Sequence, residues 1–323
     1  MRALVTGAAG FVGSTLCRRL CEMGEPPRCL ILPGDDMAPL AKLPVQIVRG
    51  DVTDEAGLDR AIEGCDAVIH LAGIRRAPER ETFMRGNALG TRRVCEAIVR
   101  TGGKARLVLA GSLAAVGPRR DSPNEDAPFA PRDWYGESKA EAERIAYGFA
   151  DRMPVVVARP SRILGPGDRE NLLFFKIVQR GFKVSLLGEP KPVFSFIDVE
   201  DVVDALLLLA TRPEAVGQSF FVSHETATME ALQDEVARAL GKRVLTLHVP
   251  RTGLWAAGVL ADVLSKATGK HLPVNRKLAQ QLLVPGWTCS IAKAKEWLGF
   301  QAKTPIAESI ERAARGYRDA GWL

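Results

Sequence analysis

Thr6-Gly7-Ala8-Ala9-Gly10-Phe11-Val12-Gly13 sets three glycines at every third position, directly after the apolar run Arg2 to Thr6. From Ser14 to Met23 the apolar residues then recur at helical spacing, so the glycines fall where a strand turns into a helix. Each has a separate use: Gly7 permits a tight turn, Gly10 lets backbone approach a pyrophosphate, and Gly13 lets helix pack on strand. The start of that helix offers unpaired N–H groups and a partial positive charge. A glycine turn alone also has a purely structural use. The strand before it and the helix after it are the context that points to a dinucleotide. Gly7, Ala9, Gly10, Phe11 and Val12 are therefore candidate cofactor contacts.

Outward from this motif, short apolar runs alternate with amphipathic stretches. Strands are expected at Arg28 to Leu32, Val45 to Arg49, Ala67 to Leu71, Arg106 to Ala110 and Val155 to Arg159. Helices are expected at Glu55 to Glu63, Gly90 to Arg100 and Ser138 to Ala150. Continuous apolar strands between helices mean a parallel sheet covered on both faces, a doubly wound α/β (Rossmann) domain. Beyond Pro160 the alternation loosens and Gly and Pro recur. Residues 1–164 read as the dinucleotide-binding domain, with 194–225 returning to it. There Phe194 to Leu209 reads as a helix and Ser219 to Val222 as a strand. Residues 165–193 and 226–323 read as a smaller, discontinuous, mainly helical substrate domain, helical over most of Thr226 to Val284.

The chain has 323 residues, 46% hydrophobic and 25% charged, which is ordinary for a globular protein and excludes a disordered or repetitive one. Its apolar runs, Val202 to Ala210 and Leu254 to Leu264, are short of the ~20 residues that span a bilayer. The opening MRALVTGAAG lacks the parts of a signal peptide. The net charge of +6 comes from basic residues spread along the sequence, unlike the single basic stripe of a nucleic-acid binder. Six cysteines show no C-x-x-C and read as free, buried thiols of a reducing compartment, with no metal site. A cytoplasmic protein with no integral membrane segment is expected.

At the carboxyl ends of later strands, Asp51-Val52 offers a carboxylate for an adenine amino group, with a plain turn residue as the alternative. Leu71-Ala72-Gly73 leaves room for cofactor backbone. Trp134-Tyr135-Gly136-Glu137-Ser138-Lys139 then places Tyr135 and Lys139 four apart, on one helix face. A tyrosine needs its pKa lowered by ~3 units, about 4 kcal/mol, to exchange protons near neutral pH. A neighbouring ammonium supplies that field. Ser112 closes the fifth strand with a hydroxyl able to hold an alcohol or carbonyl oxygen.

Together these stretches resemble the extended short-chain dehydrogenase/reductase family, also called the NAD-dependent epimerase/dehydratase family. The match comprises TGAAGFVG, GDVTD, HLAG, Asn87-Ala88-Leu89-Gly90-Thr91, Ser112, YGESK, Arg159-Pro160 with Gly165-Pro166, Phe196 to Val202, and Lys293 to Phe300. The resemblance implies a catalytic triad of Ser112, Tyr135 and Lys139 supported by Asn87. It also implies an NAD or NADP cofactor met by Tyr135, Lys139 and Pro160 besides the residues above. A small-molecule substrate and a homodimer are expected, with no nucleic acid.

Departures from the family bear on substrate. By the resemblance, sugar-nucleotide members carry an asparagine in R-x-x-N-x-x-G, and an arginine before F-I-H-V-D-D that meets the diphosphate. Here those positions are Arg162 and Phe194. The pattern more resembles the 3β-hydroxysteroid dehydrogenase and dihydroflavonol reductase branch, which implies alcohol–ketone chemistry on a non-nucleotide, apolar substrate. A nucleotide-sugar epimerase or dehydratase is the alternative, and a non-catalytic protein on this fold a third. Neither an acid at Ile31 nor an arginine at Leu32 decides the cofactor; Asp35 and Asp36 incline the reading to NAD. His70 reads as a packed residue. The stripe Leu254, Trp255, Val259, Leu260, Val263 and Leu264 reads as a buried helix face, with a pocket wall or membrane contact as alternatives. Arg75, Arg76, Arg80 and Arg85 read as a solvated loop in preference to an anion site.

Overall fold

The computed structural model describes residues 1–119, 121–268, 279–280 and 282–323. Seven strands form one parallel sheet: β1 (Ala3–Thr6), β2 (Arg28–Ile31), β3 (Gln46–Arg49), β4 (Ala67–His70), β5 (Arg106–Ala110), β6 (Val155–Pro160), and a later strand at Ser219–Val222. From one edge the order is β3-β2-β1-β4-β5-β6, then Ser219–Val222. The order reverses between β1 and β4, where the carboxyl edge of a doubly wound sheet opens a crevice for ligands.

The central strands are mostly apolar because both faces are covered, while the edge strand Gln46–Arg49 is largely exposed. Ala3, Val5, Ile31, Ile69 and Val108 pack with Leu16 and Leu20 of helix Phe11–Glu22, and with Val203 and Leu206 of helix Val199–Thr211. Leu4, Leu30, Val68, Leu107 and Val157 point the other way, onto helices Glu55–Ile62, Gly90–Arg100 and Trp134–Tyr147. Each fully buried Leu, Ile or Val contributes about 1.5–3 kcal/mol. The six cysteines are free; Cys17 and Cys29 face each other across this core at 3.5 Å.

A second sheet is built on β9 (Val193–Asp198). It pairs in parallel with β7 (Arg162–Leu164) and with β13 (Gly286–Trp287), and antiparallel with β11 (Glu225–Thr228). Ser219–Val222, the last strand of the large sheet, is β10. A third, two-stranded parallel sheet joins β8 (Phe182–Leu186) to β12 (Leu245–Val249).

Two expectations are corrected here. Phe194 to Leu209 is not one helix: Val193–Asp198 is a strand of the second sheet, and the helix begins at Val199. The sequence runs from one to the other without a turn residue, because Asp198 ends the strand and caps the helix by accepting from the Glu200 N–H at 2.8 Å. The region read as mainly helical also contains two small sheets. The part of the Thr226 to Val284 reading that covers 269–278 and 281 lies outside the described residues. Among the described residues, no helix is long and apolar enough to cross a membrane.

Candidate active site

The glycine turn is held by local bonds. Gly7 adopts φ +67°, the left-handed region that costs glycine little, and its carbonyl accepts from the Gly10 N–H at 3.0 Å. A Cβ on Gly13 would stand 2.1 Å from that same carbonyl oxygen, so the helix lies against the turn only because residue 13 has no side chain. Gly10 is different. A Cβ there would meet just the Gly7 oxygen at 3.1 Å and otherwise point into open space. The helix it opens has no side-chain cap and no acidic residue in its first turn. Uncapped amides behind an open glycine suit a pyrophosphate.

Across the crevice, the Leu71 N–H donates to the Thr6 carbonyl at 3.2 Å and the Ala72 N–H to Thr6 Oγ1 at 3.2 Å. These bonds bring the ends of β1 and β4 together. His70 is buried, with Nδ1 2.7 Å from Thr6 Oγ1 and no partner for Nε2. Burial, with the Lys139 charge adding to it, pushes its pKa down to about 3. Gly73 lies close to the polar side chains here: a Cβ would be 3.0 Å from Asn87 Oδ1 and 3.4 Å from Lys139 Nζ.

Asp51 Oδ1 accepts from the Thr53 N–H at 2.8 Å, so the carboxylate shapes the turn after β3 beside half-buried Val52. Asp35 and Asp36 are exposed, and Asp36 accepts from the Ala38 N–H at 2.9 Å. Pro160 ends β6 at the same carboxyl edge of the sheet.

Helix Trp134–Tyr147 starts four residues earlier than its apolar pattern suggests. Asp133 caps it, accepting from the Gly136 N–H at 2.7 Å. Gly136 lies where a Cβ would meet the Ala114 carbonyl oxygen at 2.4 Å, and this close packing draws Ser112 beside Tyr135. Lys139 is buried; its Nζ donates to the Ala110 carbonyl at 2.7 Å and lies 6.0 Å from the Tyr135 ring centroid. Asn87 sits in a widened turn of helix, Met84–Leu89, and ties the post-β4 loop to helix Trp134–Tyr147. Its side chain accepts from the Ile74 N–H at 2.6 Å and donates to the Ile74 carbonyl at 3.0 Å and to Ser138 Oγ at 2.8 Å.

Burial alone would raise the Tyr135 phenol. The charges of Arg75 and Lys139 and the Ser112 hydrogen bond outweigh it and hold the phenol below its ordinary value. Arg75 is the residue that reading the sequence missed. Its guanidinium carbon lies 5.4 Å from the Tyr135 ring centroid. The arginines of the loop are exposed, yet Arg76 pairs with Glu170 at 3.1 Å and Arg80 Nε donates to Glu137 at 2.9 Å. A basic residue just past the carboxyl end of a central strand was the available signal.

Behind the site, Arg159 donates from Nε and Nη2 to Glu143 at 2.9 and 2.8 Å, both side chains buried. Arg162 is half-buried; its Nε donates to Asn171 Oδ1 at 2.7 Å and its guanidinium lies 5.7 Å from the Phe174 ring centroid. Phe194 is buried among Phe175, Phe196 and Val236. It is a core residue and not an open pocket wall. The Trp255 stripe is also corrected: Leu254 is buried, but Trp255, Leu260, Val263 and Leu264 are exposed. Among the described residues no group of three or more His, Cys, Asp or Glu could hold a metal.

With this geometry in place, known proteins are informative. The NAD dependent epimerase/dehydratase family matches residues 3–222. The ceramide reductase of Caulobacter vibrioides is 32% identical over 99% of this chain and 95% of its own length. A putative dihydroflavonol 4-reductase of Synechocystis is 26% identical over 99% and 95%. Among solved structures, MoeE5 in complex with UDP-glucuronic acid and NAD superposes with a TM-score of 0.78, at 25% identity over 99% of this chain and all of that one.

Proposed function

This chain belongs to the NAD dependent epimerase/dehydratase family, and from that premise we propose that it interconverts a secondary alcohol and a ketone on a non-nucleotide, largely apolar small molecule. It is an enzyme of the extended short-chain dehydrogenase/reductase type, dependent on a nicotinamide dinucleotide. The cofactor, when bound, supplies hydride exchange. Gly7, Ala9, Gly10, Phe11 and Val12 would hold its pyrophosphate end, Asp51 and Val52 its adenosine end. Leu71, Ala72, Gly73, Pro160, Tyr135 and Lys139 would line the rest, with NAD preferred to NADP.

In the oxidative direction the Tyr135 phenolate accepts the alcohol proton; in the reductive direction the phenol donates it to the forming alkoxide. Lys139 holds the phenolate by its charge, while its bond to the Ala110 carbonyl fixes where that charge sits. Ser112 orients the reacting oxygen. Asn87 positions the loop and helix through its three bonds. The smaller unit, centred on residues 165–193 and 226–323, would meet the substrate, and the active assembly would be a homodimer in the cytoplasm.

The observation that carries the chemistry is the half-buried Tyr135 ring with the Arg75 and Lys139 cations at 5.4 and 6.0 Å from its centroid, which hold the phenol below its ordinary value. The substrate class is supported by Phe194, which puts a core ring where a diphosphate would need a cation, and by the relation to ceramide reductase. A second reading, a nucleotide-sugar epimerase or dehydratase with the same triad, is favoured by half-buried Arg162. Among the described residues, no carboxylate lies within 4.0 Å of it. Purified protein with NAD separates the two. Net NADH formation with long-chain or sterol-like secondary alcohols supports the first; isomerisation of a UDP-sugar without net redox supports the second. Tyr135→Phe should cut either turnover by at least about 100-fold while NAD still binds. Near-native turnover would remove Tyr135 from the chemistry.

A further inference from the structure

Among the described residues, the β8/β12 sheet is anchored by helices that pack on β8. Helix Met229–Leu240 packs on β8, with Lys183 bonded to Asp234 at 2.6 Å, Ser185 to Glu230 at 3.0 Å, and Gln233 to both the N–H and the carbonyl of Val184 at 2.9 Å. The parallel register sets Phe182 beside Leu245, Val184 beside Leu247 and Leu186 beside Val249. Strand alternation puts these six side chains on the opposite face. All six are apolar. Phe182 and Leu247 are exposed, and Leu245 is 67% exposed.

After Pro250 the chain enters helix Arg251–Thr268. Leu254, Gly258 and Ala261 are its buried positions. Its outward side carries Trp255, 48% exposed, Leu260, 59% exposed, and Val263, where a water-facing helix normally carries charge. Two adjoining elements thus present apolar side chains to solvent.

The charge around them is one-sided. Residues 176–188 and 241–261 contain Lys176, Arg180, Lys183, Lys242, Arg243 and Arg251 and no Asp or Glu, until Glu189 and Asp262 end the two runs. Lys183, on the helix-facing side of β8, is paired with Asp234; among the described residues none of the other five has a carboxylate within 4.0 Å.

We propose that the outer face of β8, β12 and helix Arg251–Thr268 docks the enzyme on an anionic membrane surface. Apolar side chains would enter the boundary between headgroups and acyl chains, with Trp255 at headgroup level and the surrounding cations meeting lipid phosphates. A second copy seated on the same face would bring like charge against like, which disfavours self-association there. The docking is peripheral and holds whichever substrate the enzyme turns over.

The test is sedimentation of the full chain with vesicles of phosphatidylcholine, alone or mixed with phosphatidylglycerol. The chain should pellet with the mixed vesicles, far less with phosphatidylcholine alone, and be released by salt. Leu245→Asp with Trp255→Asp should weaken binding by at least about tenfold through lost apolar burial. Lys242→Ala with Arg243→Ala should do so by about tenfold through lost headgroup attraction. The replaced side chains belong to the surface, so each pair should melt as the parent does, and either pair alone suffices if the other does not. No binding of the parent chain to mixed vesicles, or unchanged binding by a natively melting variant, would overturn the proposal. So would sedimentation velocity showing a dimer that the Leu245/Trp255 pair of substitutions converts to monomer, which would give the face to a second copy.

Discussion

The Arg75 guanidinium lies over the ring of Tyr135, 5.4 Å from its centroid, while Lys139 approaches the same ring at 6.0 Å. Two cations therefore act on one phenol from different elements: Lys139 from its own helix, Arg75 from the loop after β4. Removing Arg75 should raise the Tyr135 pKa. Alcohol oxidation requires the phenolate, so the rising limb of its pH profile should move to higher pH in Arg75→Gln. With a side chain 57% exposed, solvent screening limits the move to roughly half to one pH unit. NAD affinity should be unchanged. A limb that stays in place would remove Arg75 from the site.

Gly10 and Gly13 should fail in different ways. Gly13→Ala drives a Cβ into the Gly7 carbonyl oxygen at 2.1 Å, so it should destabilise the fold by about 1–3 kcal/mol. Gly10→Val faces open space and should melt near the parent temperature, yet bind no NAD by calorimetry. If Gly10→Val binds NAD normally, the turn has some other role.

Arg159 and Glu143 form a buried pair whose loss should be felt in stability. Arg159→Met leaves the Glu143 carboxyl buried without its cation, which should cost about 3–5 kcal/mol in urea unfolding at pH 7. Replacing both with apolar residues of similar size should cost much less than that. Equal losses in the single and double variants would show that the pair itself, and not the orphaned charge, is what matters.

His70 sets an acid limit. Its pKa in the fold is about 3, whereas an unfolded histidine titrates near about 6.5. Between those values the unfolded chain binds a proton that the native one refuses, so stability falls as pH drops below about 6.5, by up to about 1.4 kcal/mol per unit. His70→Asn lacks this term. From pH 7 to pH 5 the parent should lose about 2 kcal/mol more than the variant in urea midpoints. Parallel losses would mean that His70 is protonated in the fold.

Much of the large sheet is legible before any coordinate, because a strand buried on both faces is apolar along most of its length, as Ala3–Val5 and Ala67–Ile69 are before the bonded pair Thr6 and His70. The glycine turn is legible for a similar reason: few sequences other than glycine satisfy a left-handed residue and a helix packed onto a carbonyl within seven positions. Tyr135 and Lys139 are legible because i, i+4 spacing on a helix is local geometry. Local pattern fails where the deciding contact is distant. Val193–Asp198 is apolar enough for helix or strand, and only pairing with β7, β11 and β13 makes it a strand. Phe194 stands where the resemblance would put an arginine on a diphosphate, and only the packed fold shows it to be a core residue. The stripe at Trp255 has the periodicity of a buried face, and tertiary packing turned most of it outward. Arg75 lies sixty residues from Tyr135 in sequence, and it reaches the ring only because the loops after β4 and β5 meet at one edge of the sheet. Charge and hydrophobicity are properties of residues; which of them face each other, and which face water, is decided by the fold.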